Sequence, residues 1–470
     1  MEEIRKKTQI EEMDRGVYDI KNDFDYSFKS DAGLTEDIIR EIWSNKNEPE
    51  WMLEKRLESL KIYHSLDIPN WMPDISGLNM DSIITYVKPK VDMKGNWNDV
   101  PEDIKSTFDR LGIPEAEKTS LAGVGAQYDS EVVYHSIQED LVKQGVVYTD
   151  IETALHDYED IVKKYWMTLI PPTDHKFAAL HGAVWSGGSF VYVPAGVEVE
   201  IPLQSYFRLN APGAGQFEHT MIIIEEGAKA HFIEGCSAPK YNVANLHAGA
   251  VELFVKDNAS LRYSTIENWS KNMYNLNTKR CSVGKNGTIE WVSGSFGSHV
   301  SCLYPMSILK GEGAHCEFTG VTFAGEGQFL DTGCKVVHAA PYTTSNVNSK
   351  SISKSGGAAI YRGLTKIAAN AVHSKSTVSC ESLMLDEISQ SDTIPTIIVE
   401  NDNVDLGHEA KIGRISDEAI FYLMTRGISE EEARAMLVRG FVEPISKELP
   451  LEYAVEMNNL ITLELEGSIG

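Results

Sequence analysis

Two segments near residue 400 carry side chains suited to metal chemistry. "STVSCESLML" contains Cys380, and "VDLGHEAKIGR", about thirty residues on, contains His408 and Glu409 with Gly407 before them. A thiolate, an imidazole and a carboxylate together could hold a metal ion. Both segments alternate like strands, so His408 and Glu409 are expected on opposite faces unless a bulge at Gly407 re-aims one of them. The plainer alternatives are a packed thiol and a solvated His-Glu pair. A second thiol, Cys236, follows a strand in "FIEGCSAP", where a turn role is the alternative. Arg208 and Asn210 in "YFRLN", Glu267 and Trp269 in "TIENW", and Lys279 in "NTKRC" interrupt apolar strands. Pointing inward they would need partners and would suggest a polar conduit; pointing outward they carry no message.

The elements that must position these residues fall into three regions, 1–175, 176–414 and 415–470. The first reads as mainly helical, acidic and loop-rich. "LTEDIIREIWSNKNEPEWMLEKRLESLKIYHSL" has helix-spaced apolar residues after a Thr35 cap, and "YTDIETALHDYEDIVKKYWM" predicts a second helix capped by Thr149 or Asp150. From Lys176 to Arg414 the texture is short alternating strands. "EEGAKAHFIE", "KDNASLRYST", "KNGTIEWVSG" and "GEGAHCEFTG" repeat a turn residue, a small residue and an alternating run. Such recurrence predicts stacked coils sharing one core, with a jelly roll as the runner-up. Beyond Arg414, Ser416 and Gly427 bracket one helix, and the Ser429/Glu432 capping box and Gly440 bracket another. "LPLEYAVEMNNLITLELEG" predicts a third. Such helices are expected to close the solenoid end or to dock a partner.

The chain has 470 residues, 42% of them hydrophobic, and a formal net charge of −26. That charge argues against nucleic acid or an anionic membrane as the main partner. The longest apolar runs are strand-sized, and the first residues lack the apolar centre of a secretory signal, so a cytoplasmic protein is expected. Six cysteines without a CxxC pair are expected to be free, mostly buried thiols.

The blocks "SYFRLN", "GQFEHT", "FIEGCSAP", "NLHAGAVEL", "YSTIENW", "DTGCKVVH", "YRGLTKI", "SCESLML", "GHEAKIGRIS" and "RGISEEEARAMLVRGF" resemble the SufB/SufD family of the SUF iron-sulfur cluster assembly system. The resemblance runs from about Gln138 to Gly470 and more loosely through the first 130 residues. It implies a right-handed parallel β-helix between helical ends, acting as a scaffold that assembles clusters and passes them to apo-proteins. It further implies a soluble ATPase partner, SufC, bound by the C-terminal helices, and a second β-helix subunit, SufD or another scaffold copy. Sulfur would come from a cysteine desulfurase with its sulfur-transfer protein. By position, Cys380 and Glu409 match the family's cluster ligands, with His408 a further candidate. Cys236 matches its sulfur acceptor, and Arg208, Asn210, Glu267, Trp269 and Lys279 match its sulfur path. The cargo would be a transient [4Fe-4S] or [2Fe-2S] cluster, and reduced flavin is a candidate cofactor. Glu267 and Gly407 depart from the family pattern, which has Gln in many members at the first position and Glu in some at the second.

No GxxxxGK[ST] phosphate loop is present, so ATP hydrolysis is expected in the partner and the chain is read as a non-enzyme. The rival readings are a SufD-like non-scaffold subunit, disfavoured by the presence of both Cys236 and Cys380; a β-helix metal-dependent hydrolase or lyase; and a membrane transporter subunit, opposed by the lack of a spanning segment.

Overall fold

The computed structural model describes residues 19–22, 26–110, 121–447, 457–458, 460–462 and 465. Its centre is a parallel β-solenoid, as the repeats predict. One wall is a sheet in which Leu203–Arg208, Lys229–Ser237, Ser260–Trp269, Thr288–Gly297, His315–Ala324, Thr344–Ser353, Lys375–Met384 and Asp405–Arg414 lie side by side, all parallel. The opposite wall has two tracks. The longer runs from Ser189–Val193 to Lys335–His338, and the shorter from Gly215–Gln216 to Phe329–Thr332. They merge in Ala358–Ile367, whose first half pairs with the short track and whose second half pairs with the long one. A jelly roll would be antiparallel, and that alternative is set aside.

The recurrence in the sequence is the register of the coils. Lys229, Ser260, Thr288 and His315 are successive lateral partners, each just after one of the four quoted turns. Each turn holds one residue in the left-handed region: Gly227, Asn258, Asn286 and Gly313, with φ of 69°, 57°, 51° and 72°. Only glycine and, less readily, asparagine occupy that region without marked cost, which explains the Gly/Asn signature. Inside, Leu203, Phe232, Tyr263, Trp291, Phe318, Val347, Val378 and His408 form one lateral ladder. Stacking large side chains in line buries apolar area that no single coil could hide.

Several boundaries differ from expectation. Lys176, where strand texture is predicted to begin, opens a helix, Lys176–Val184, buried along most of its length. Apolar on all sides, it has no helical period to read. In the N-terminal region, Gly123–Tyr128 and Glu131–Ile137 form a hairpin that extends the first sheet, and Val147–Asp150 pairs antiparallel with Ser189–Val193. The first predicted helical stretch is two helices, Glu36–Lys46 and Glu50–Ser65, parted at left-handed Asn47 and Pro49. Thr35 caps the first, accepting from the Ile38 amide at 3.3 Å. Asp150, rather than Thr149, caps Ile151–Asp157, which stops at Tyr158 before Glu159–Tyr165.

At the C-terminus Ser416 caps Asp417–Met424, and Gly427 has φ of 85°. Ser429 caps Glu430–Ser446, which runs through Gly440 instead of ending there. Val438 and Val442, on either side of that glycine, are both buried. The third predicted helix lies largely outside the described residues. These helices do not close the solenoid. They pack Ile420, Val438, Val442 and Ile445 against Ile266, Val292, Val321 and Ile352 on the outer face of the first sheet. Strands Gln390–Val399 and Asp405–Arg414 therefore end the two walls, each paired on one side only.

The core also makes the fold acid-sensitive. His338 is fully buried between the Thr343 and Ser345 hydroxyls, 2.8 and 3.0 Å away, and burial pushes its pKa down to about 4. The unfolded chain takes up that proton near pH 6.5, so the stabilisation is present above 6.5 and falls away as pH drops toward 4. The loss from this residue is roughly 3 kcal/mol by pH 4. In urea titrations over that window, His338→Gln should flatten the pH slope; a slope identical to that of the natural chain would refute this account.

Candidate functional site

At the open end of the solenoid, Cys380 Sγ lies 3.8 Å from His408 Nε2. Strand parity and register bring them together. Val378 and Cys380 face inward, and His408 is the lateral partner of Val378. No bulge interrupts the register at Gly407. Glu409 consequently faces outward, where it pairs with Lys411 at 3.0 Å. The opposite-face rule thus holds, and it is His408 that shares the thiol's side. Burial pushes the Cys380 thiol up to about 12, against a hydrogen bond from Tyr361. Partial burial lowers His408, so its imidazole is neutral at pH 7 and free to donate an electron pair. Among the described residues no three His, Cys, Asp or Glu side chains converge as a metal cage. This chain supplies a donor pair.

Cys236 sits toward the other end of the solenoid, fully buried on Lys229–Ser237 with Phe207 and Glu267 as lateral partners. Around it runs a chain of buried polar groups. Lys279 Nζ donates to Glu234 at 3.2 Å and Glu267 at 3.1 Å, and the Tyr263 hydroxyl donates to Glu234 at 2.6 Å. Asn275 Nδ2 donates to Glu267 at 2.6 Å, and its Oδ1 lies 2.7 Å from His247 Nδ1. His247 in turn contacts Glu218 through Nε2 and leans on the Trp269 ring, 4.7 Å between centroids. Burial works to lower the Lys279 pKa, but Glu234 and Glu267 outweigh it and hold the ammonium charged. Burial and then Glu234, Glu218 and Glu267 push the Cys236 thiol well up, opposed by Lys279.

The predicted path residues divide. Glu267, Trp269 and Lys279 line the interior with Cys236. Arg208 and Asn210 face the other side of the sheet, where Arg208 donates to Ser237 at 3.0 Å and to the Ile20 carbonyl at 2.9 Å. Asn210 exchanges hydrogen bonds with the Asn22 backbone at 3.3 and 3.1 Å. Both clasp the N-terminal segment.

Sequence reasoning missed what lies between the thiols. The lateral row through Cys236 continues as Glu267, Ser295, Thr322, Ser351 and Ser382, all buried. Ser382 is two residues from Cys380 on the same inner face. Ser351 and Ser382 share a hydrogen bond of 2.7 Å, and Thr322 bonds Thr332 at 2.9 Å. A core row of hydroxyls where apolar side chains would pack is a polar lane. At strand spacing it spans roughly 24 Å over its five steps. Glu218, Glu234, Tyr263, His247 and Asn275 were also missed; the available signal was polar residues at inward parity in otherwise apolar strands.

Fold and site together define a parallel β-solenoid protein whose interior carries a hydroxyl-lined lane between two buried thiols. Residues 207–441 match the model of the SUF system FeS cluster assembly SufBD core domain, and residues 45–205 match that of the SufBD protein N-terminal region. An iron-sulfur cluster assembly SufBD family protein of Staphylococcus aureus (strain MRSA252) is 53% identical over 443 residues, 94% of this chain and 95% of that relative. The iron-sulfur cluster assembly protein SufB of Bacillus subtilis (strain 168) shows the same identity and coverage. The chain belongs to the SufBD family of iron-sulfur cluster assembly proteins.

Proposed function

We propose that this chain is a scaffold on which iron-sulfur clusters are built and from which they pass to apo-proteins. The observation that carries the reading is the Cys380–His408 pair at an open solenoid end, joined by the hydroxyl row to buried Cys236. One thiolate and one imidazole hold iron less tightly than four thiolates would, which suits a product that must leave. The remaining donors would come from a second β-helix subunit, SufD or another copy, paired along the two free edge strands. Exposed Ile394, Ile397, Ile398, Val399 and Ile412 on those strands support that pairing. Glu409 joins the donor set in this reading only if pairing releases it from Lys411.

Sulfur would enter as a persulfide on Cys236, taken from the persulfide of the cysteine desulfurase's sulfur-transfer protein, whose own thiol is released. A two-electron reductant, for which reduced flavin is the candidate, would then cleave the S–S bond, restore the Cys236 thiol and free sulfide to travel the lane. The C-terminal helices would receive the ATPase SufC. Phe421 and Tyr422 are 67% and 58% exposed there, beside exposed Met424 and Met436. Because these helices pack on the sheet that carries Cys380, movement of the ATPase would reach the cluster end.

Anaerobic addition of ferrous iron and sulfide to the chain with its partners should develop visible charge-transfer absorption, and a colourless product would overturn the scaffold reading. Cys236→Ala should abolish persulfide loading from the desulfurase while leaving reconstitution by free sulfide intact. Mass spectrometry showing normal persulfide yield on another residue would remove Cys236 as the entry point.

A further inference from the structure

On the outer side of the second wall, between strand residues and the Pro69–Met72 segment, lies a cavity of about 340 Å³, within the size range of small-ligand sites. It takes no part in the lane or the thiol sites. Its walls carry an uncommon combination. Trp71 stands 46% exposed and meets Tyr304 edge-on at 5.9 Å. The Lys335 ammonium makes no ion pair or hydrogen bond among the described residues; it lies over the Tyr304 ring at 4.8 Å and the Trp71 ring at 5.8 Å. Arg280 is held by Asp174 and the Leu169 carbonyl, both at 2.6 Å, but its Nε has no partner. Asn277, only 4% exposed, lines the same wall with neither carboxamide atom hydrogen-bonded within the protein.

Two cations against one lining carboxylate, Asp174, leave an excess of positive charge that suits an anion. The indole at the mouth, 46% exposed with Arg362 at 5.3 Å and Lys335 at 5.8 Å over its ring, leaves surface on which a planar base can stack. A carboxamide with donor and acceptor both unused matches the paired acceptor and donor on the edge of a base such as adenine. Inorganic phosphate would satisfy only the first of these features, and an uncharged ring only the other two.

We propose that this cavity binds a phosphorylated planar heterocycle, a small nucleotide, with its phosphate on Lys335 and Arg280, its ring against Trp71 and its edge toward Asn277. The site is independent of the cluster chemistry proposed above, and its test does not depend on it. Titration of the full chain with AMP, read by calorimetry and by tryptophan fluorescence, should saturate in the sub-millimolar range. Adenosine and inorganic phosphate should each bind about tenfold more weakly or worse. Lys335→Gln and Trp71→Leu should each weaken AMP by about tenfold, with unfolding midpoints unchanged, and Asn277→Ala should weaken it without loss of stability. Absence of saturable AMP binding at millimolar concentration would overturn the proposal. So would AMP affinity unaffected by Lys335→Gln and Trp71→Leu, or phosphate binding as tightly as AMP.

Discussion

Cys380→Ser should give a folded protein that stays nearly colourless when ferrous iron and sulfide are added without oxygen. Serine preserves the size of the side chain and its hydrogen bond with Tyr361, so the surroundings of the strand hardly change. What disappears is the soft donor that faces His408. An alcohol does not ionise to hold ferrous iron near neutral pH, so cluster absorbance per chain should fall by about tenfold or more. His408→Ala should lower it less, because imidazole is the weaker anchor of the pair. Since the Cys380 thiol sits at about 12, metal loading must displace its proton. Loading by the natural chain should therefore strengthen steadily as pH rises through the neutral range, a dependence that the serine variant lacks. Equal colour in the natural chain and Cys380→Ser would eliminate the assignment of this end as the cluster site.

Lys279→Met should be among the most destabilising single substitutions in the solenoid, at about 3–5 kcal/mol. Lys279 is the cation shared by Glu234 and Glu267, and all three side chains are almost wholly removed from water. Removing the ammonium leaves two carboxylates buried without compensation, and their remaining partners, Tyr263 and Asn275, are neutral. The deficit should shrink as pH is lowered, because the stranded carboxyls then take up protons more readily folded than unfolded. Adding Glu234→Gln and Glu267→Gln to Lys279→Met should recover most of the loss. Urea midpoints at constant slope would measure both effects. A single variant as stable as the natural chain would show that the network contributes nothing to holding the fold.

The solenoid was legible because its turns need left-handed residues at fixed places. Gly227, Asn258, Asn286 and Gly313 print that need into the sequence, and alternation around them marks the strands. The face-parity rule for His408 and Glu409 was legible too, but not which of them looks inward. That depends on the partner strand, where Val378 and Cys380 set the inner side. The hydroxyl row escaped because Ser and Thr on a strand ordinarily read as solvent-facing. Ser295, Thr322, Ser351 and Ser382 come from four separate coils, and only lateral register makes them a line. The flanking position of the C-terminal helices was equally hidden. Their apolar faces were visible, whereas the matching patch, Ile266, Val292, Val321 and Ile352, is dispersed over the outward positions of four strands.

The two ends of the stack are unlike. One finishes in a hairpin whose register slips between Ala126 and Gln127 and in the four-residue strand Val147–Asp150; the other presents two ten-residue strands bare along one side. Among the described residues the longer bare edges lie at one end only. If the pairing proposed above uses the ten-residue edge, the shorter, slipped edges at the other end would favour a closed pair over a growing fibril.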